Sequence, residues 1–165
     1  MFDLGTFTAV HTALSLVALV TGVAVVADLL NAKVRRTWTV LFLATAVATS
    51  ATGFGFPFHG VLPSHVLSVI SLVVLAVAIY ALYAAGLSGV WRPIYAASIA
   101  AGLYFLVFVG IAQAFLKIPA VKSLAPTSTE PPFIVAQLVA LVVFIALGVA
   151  AARSFRRAAP RMALI

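Results

Sequence analysis

Five long apolar runs organise this sequence, and the polar residues, glycines and prolines gather in the short stretches between them. The first run, 7–30, stops at Asn31-Ala32-Lys33-Val34-Arg35-Arg36, a charged turn that enters hydrocarbon only at high cost. A second run, 38–54, ends in Gly53-Phe54-Gly55-Phe56-Pro57, where two glycines and a proline break a helix, and a short uncharged loop with His59 follows. Pro63 suits the opening turn of a third helix, 63–85, because its missing N–H would be unpaired there anyway. Gly86 to Gly89 close that helix. Trp91-Arg92-Pro93 opens the fourth run, 93–116, which stops before Lys117 and Pro119. The connector 117–131 is rich in Pro, Ser and Thr without helical period, and predicts a surface loop, a plain link or a lid. The fifth run, 132–152, is followed by Arg153, Arg156, Arg157 and Arg161.

Each run has the roughly 20 apolar residues that a membrane crossing requires. Composition agrees: 65% of the 165 residues are hydrophobic and 8% charged, and the mean hydropathy is +1.25. So little polar surface cannot cover a water-soluble globule. The expected fold is all-α: a polytopic transmembrane bundle of five spans forming one domain over 1–165, with no room for a separate soluble domain. The first run has Asp3 and no basic residue before it. It is also too long for a signal-peptide core, which predicts a retained span.

The net charge of +7 would suit nucleic acid, but the basic residues cap the apolar runs instead of forming one polar face, so a nucleic-acid partner is not expected. Five crossings put eight of the ten basic residues on one side and leave Lys117 and Lys122 on the other. Cytoplasmic loops carry such an excess, which predicts an outside N-terminus and an inside C-terminus for a multi-pass protein. Cysteine is absent, which removes disulfides, thiolate metal ligation and cysteine nucleophiles.

With that topology all three histidines fall toward the outer side: His11 early in the first span, His59 in the loop and His65 at the start of the third. At 1.5 Å per residue, His11, His65, Gln113 and Gln137 lie within roughly the first 10 Å of the membrane. In the first span Thr8, His11, Ser15, Ala18 and Gly22 recur at intervals of three and four, a stripe that should face other helices. Thr45, Thr49 and Thr52 repeat that spacing in the second span, and Ser68 follows His65 in the third. Polar groups in hydrocarbon point inward, pair or line a wet cavity. The expectation is an outward-opening pocket lined by Thr8, Ser15, Thr52, Ser68, Gln113 and Gln137, with Glu130 above it. The alternative reading makes the same residues interfacial groups near headgroups and water.

Three chemistries are open to such a pocket. His11, His59 and His65 with Glu130 form a candidate metal-ligand set, since imidazole binds zinc, copper, nickel and iron. His11 and His65, on different helices at similar depth, are candidate axial ligands of a single haem, possible cofactor of an electron-transfer site. Histidine and glutamate also serve as acid and base on a lipid-soluble substrate, so whether the chain is an enzyme stays open. Small-solute transport is a further reading, but the inner halves of the third and fifth spans are almost wholly apolar, which favours a dead-end pocket. The small-residue stripe suits a homo-oligomer or a subunit of a larger membrane complex. Asp28 is placed to pair with Lys33 or Arg35, and Trp38, Tyr80, Tyr83, Trp91 and Tyr95 suit an aromatic belt. No phosphate loop, dinucleotide fingerprint, HExxH or nucleophile elbow occurs.

The segment Gln113-Ala-Phe-Leu-Lys-Ile-Pro-Ala-Val-Lys-Ser-Leu-Ala-Pro-Thr-Ser-Thr-Glu-Pro-Pro-Phe133, with Gly53-Phe-Gly-Phe-Pro-Phe58 and Pro63-Ser-His65, resembles a group of small bacterial multi-pass inner-membrane proteins of uncharacterised function. The resemblance covers nearly the whole chain and implies location without a function. Translocator proteins share the span number and approximate length, but their tryptophan-rich pattern is missing here. Di-haem membrane cytochromes b require more histidines than the chain has.

Overall fold

A computed structural model describes residues 3–56, 63–157 and 161–163. Helix α1 (Leu4–Leu30) begins three residues ahead of the apolar run, because Asp3 caps it. The Asp3 carboxylate accepts from the backbone N–H groups of Gly5 and Thr6 at 3.1 and 3.2 Å and from the Thr6 hydroxyl at 2.6 Å, satisfying donors that a helix start leaves unpaired. These bonds hold the Asp3 carboxyl below its ordinary pKa, the Thr6 hydroxyl contributing most.

Strand β1 (Lys33–Arg35) leads into α2 (Arg36–Thr52), which tightens into a 3₁₀ turn at Gly53–Gly55. Helix α3 (Pro63–Ile79) continues through one π turn, Tyr80–Ala84, and Gly86 and Gly89 then take left-handed conformations that only glycine adopts freely. Helix α4 (Trp91–Lys117) follows. The connector expected to lack helix holds one short turn, α5 (Pro119–Lys122), with proline preset at its first position. Helix α6 (Pro131–Arg157) runs five residues beyond the apolar run, since its last turn is anchored: Phe155 is buried, and the Ser154 hydroxyl donates to Leu30 O at 2.9 Å. Strand β2 (Arg161–Ala163) pairs in parallel with β1, the one departure from helix-and-turn structure among the described residues.

Among the described residues, five helices are long and apolar enough to cross a membrane: α1, α2 with its 3₁₀ turn, α3 with its π turn, α4 and α6. Their alternating directions gather the starts of α1, α3 and α6 with the exits of α2 and α4 at one end. His11 and His65 lie there. The other end carries Lys33, Arg35, Arg36, Arg92, Arg153, Arg156 and Arg157.

The helices follow one another around the bundle, each packed on the next, α6 returns to α1, and α1 also meets α4 across the middle. Gly22 makes that central crossing close, because a Cβ there would stand 2.7 Å from Leu103 Cδ1 and 2.8 Å from Phe42 Cε2. The tight core is in the basic half, where Ala18, Val25, Val26, Leu29, Phe42, Leu43, Ala46, Leu75, Ile99 and Leu103 are buried. Toward the histidine end the packing loosens, and α6 buries no described residue before Ala151.

Candidate functional site

The exit of α2 is the hub of the histidine end. Thr52, the last residue of the helix, faces α1, and its Oγ1 stands 2.9 Å from His11 Nδ1. Gly53 leaves room for Ser68 of α3, whose Oγ would be 3.0 Å from an added Cβ. The Phe54 ring stacks on buried His65 at 5.8 Å between centroids. Gly55 admits Phe7 of α1, whose Cζ would lie 2.5 Å from a Cβ. Phe56 meets Phe7 at 5.1 Å and His11 at 5.2 Å, edge to face in both cases. One turn of chain thus carries an imidazole on each side, His11 toward α1 and His65 toward α3.

Hydrogen-bond accounting favours one His11 tautomer. The Thr52 hydroxyl has a single proton, and the Ala48 carbonyl oxygen waits 2.7 Å away one turn earlier in the helix. With the proton donated there, Thr52 Oγ1 accepts from His11 Nδ1–H, and the lone pair of the neutral ring sits on Nε2. No described residue hydrogen-bonds Nε2. His11 is half-buried, so this nitrogen is an available donor to a metal, a haem iron or a proton.

The other expected pocket residues divide between the hub and its surroundings. Thr8 and Ser15 share the His11 face of α1 and are half-buried, while Ala18 and Gly22 further along are buried. Their hydroxyls are used within their own helix, Thr8 donating to Leu4 O and Ser15 to His11 O, both at 2.8 Å. Gln113 is exposed on α4. Gln137 of α6 donates through Nε2 to Phe108 O of α4 at 3.1 Å, and its Oε1 is buried with no donor facing it among the described residues. Glu130 closes its own loop: its carboxylate accepts from Thr127 N–H, the Thr127 hydroxyl and Thr129 N–H at 2.8 to 3.1 Å. Desolvation pushes the Glu130 pKa up, but these bonds together outweigh it and hold the carboxyl below its usual range. His59 lies outside the described residues. Among the described residues, no three His, Cys, Asp or Glu side chains converge into a metal-ligand group.

Sequence reading missed the aromatic part of this cluster. The pattern Gly53 to Pro57 predicts a helix break, whereas the Gly-Phe-Gly-Phe alternation also lets rings and neighbouring side chains approach a bare backbone on both sides. That alternation beside two histidines was the available signal.

At the opposite end, Arg35 Nε donates to Asp28 Oδ2 at 2.7 Å, the ion pair expected from the sequence with Arg35 as its cation. That bond to Asp28 raises the Arg35 pKa above its already high value. The Arg35 guanidinium also sits 5.8 Å from the Trp38 ring centroid.

Fold and site together define a multi-pass helical membrane protein with a histidine and aromatic cluster at one end. No protein-family model, curated protein or solved structure matches the chain.

Proposed function

We propose that the histidine end is a ligand site for a transition-metal ion or one haem, with His11 Nε2 as the primary donor and His65 as the second imidazole, serving electron transfer or metal handling. The single observation that carries this reading is the His11–Thr52 hydrogen bond. Ligating histidines are oriented in this way, one ring nitrogen tied to a hydrogen-bond partner so that the other presents its lone pair. The chain lies in the inner membrane with its histidine end outside and basic end inside, a reading supported by the segregation of basic residues. The resemblance to small bacterial inner-membrane proteins fits that location.

Absorbance and metal analysis of protein purified from cells supplied with haem precursors and trace metals test the proposal. A Soret band or a stoichiometric metal in the wild type, lost in His11→Ala and weakened in His65→Ala, is the expected result. Absence of both in the wild type, or the same bound species in both variants, overturns it. Transport finds less support, because the basic half is closely packed where a through-path would have to run.

A second reading, a subunit of a larger assembly, is favoured by the long stretch of α6 before Ala151 in which no described residue is fully buried. Native mass spectrometry from gentle detergent tests it, and a strict monomer with no copurifying protein counts against it.

A further inference from the structure

A shallow groove of about 280 Å³ opens sideways between α2 and α3, lined by Val40, Leu43, Ala44 and Val47 of α2 and by Ile79 and Tyr83 of α3. Two local features make it. Ala44 is small between two valines, and the π turn shifts the helical register so that Tyr83 stands 62% exposed at its edge. The Tyr83 phenol is the one polar side-chain group in the lining.

Arg36, Val40, Ala44 and Val47 are spaced by four, four and three residues and so form one stripe of α2. Helical side chains lean toward the N-terminus, so Arg36 reaches away from the groove toward headgroup depth at the basic end. The lining from Val40 to Val47 spans about 10 Å along the helix, with Arg36 about 6 Å further on. A long apolar track thus ends under a cation. Arg36 is exposed, and no acidic side chain is free to pair with it: of the three Asp and Glu residues, Asp3 and Glu130 are at the other end and Asp28 is held by Arg35.

We propose that this groove seats an acyl chain of an anionic phospholipid whose phosphate is bound by Arg36. The order of features, hydrocarbon surface first and guanidinium at headgroup depth, matches the order of parts in that molecule. Juxtamembrane cations attract anionic lipid in general. Here the groove adds a defined place for the tail, which sets Arg36 apart from the other arginines of the same end.

Native mass spectrometry of the full chain, titrated with phosphatidylglycerol or phosphatidylcholine of identical acyl chains, provides the test. Phosphatidylglycerol should bind more tightly, and Arg36→Gln should weaken it about five-fold, the loss of one surface cation, without changing phosphatidylcholine. Ala44→Leu, which fills the groove, should weaken both lipids. Val40→Asn, at an exposed groove position, should do the same and gives a second reading if Ala44→Leu lowers the yield. Arg156→Gln, at the same end but off the stripe, should leave binding unchanged. Equal binding of the two lipids overturns the proposal. So does an Arg156→Gln loss as large as that of Arg36→Gln, which would mean diffuse attraction to a basic rim.

Discussion

The His11 ring and the Thr52 hydroxyl, 41 positions apart in sequence, are joined at 2.9 Å, and this bond links α1 to α2 at the loosely packed end of the bundle. Similar bonds join other neighbours: Ser50 to Ser71 between α2 and α3, Gln137 to Phe108 O between α6 and α4, and Ser154 to Leu30 O between α6 and α1. Lipid supplies no hydrophobic drive between helices, so packing and such bonds hold them together. Thr52→Val keeps the shape and removes the acceptor. It should cost about 0.6–1.7 kcal/mol in detergent unfolding, and Thr52→Ser should restore most of it. If His11 holds a metal or haem, Thr52→Val should also weaken that ligand about 10- to 100-fold. Unchanged unfolding and unchanged ligand content in Thr52→Val would show that the bond contributes nothing.

Two glycines should respond oppositely to alanine. Gly22 sits between Leu103 and Phe42, and neither can withdraw far, because both are buried. Gly22→Ala should destabilise by about 1–3 kcal/mol, the range for overpacking a filled core. An alanine Cβ at Gly110 meets nothing within 4 Å, so Gly110→Ala should be neutral or gain up to about 1 kcal/mol from helix propensity. Thermal unfolding of the two variants side by side decides it, and equal behaviour would mean that the central crossing is not tight.

These responses also show how far the sequence could be read. Apolar runs of membrane length place α1 to α4 and α6 to within a few residues, because the bilayer fixes how long such a run must be. Helix ends were harder: Asp3 extends α1 and Phe155 extends α6 through contacts outside any hydropathy pattern. The three- and four-residue stripe from Thr8 to Gly22 rightly marked the packed face of α1. Which partner each polar residue takes was not legible. Thr8 and Ser15 bond their own helix while Thr52 reaches another, and the difference lies in where the chain turns after Thr52. Gln113 and Gln137 looked equivalent by depth, yet one is exposed and the other bonds a neighbouring backbone, since rotation about the helix axis is set by tertiary packing.

At the basic end Asp28 is buried while Arg35 is half-exposed beside Trp38. Removing the acid leaves a cation that water can reach, whereas removing the cation leaves a carboxylate short of its charge partner. Arg35→Gln should therefore lower the midpoint of thermal unfolding more than Asp28→Asn. The double variant should lie closer to Asp28→Asn than to Arg35→Gln. The reverse order would place the cost on the guanidinium and contradict the burial of Asp28.

The connector before α6 should loosen in acid, and Glu130 sets the window. Its carboxylate accepts three bonds from Thr127 and Thr129, and its pKa in the fold is depressed. For a depressed acid the stabilisation is fully present above the unfolded value of about 4.3 and disappears as pH falls through the lower folded value. Protection of the Thr127 and Thr129 amides, corrected for intrinsic exchange, should thus hold from neutral pH to about pH 5 and decline below about pH 4. Glu130→Gln lacks the titrating group, so its protection should be lower at neutral pH and flat across the same range. A decline of equal size in Glu130→Gln would assign the acid response to another group and leave the turn without its proposed anchor.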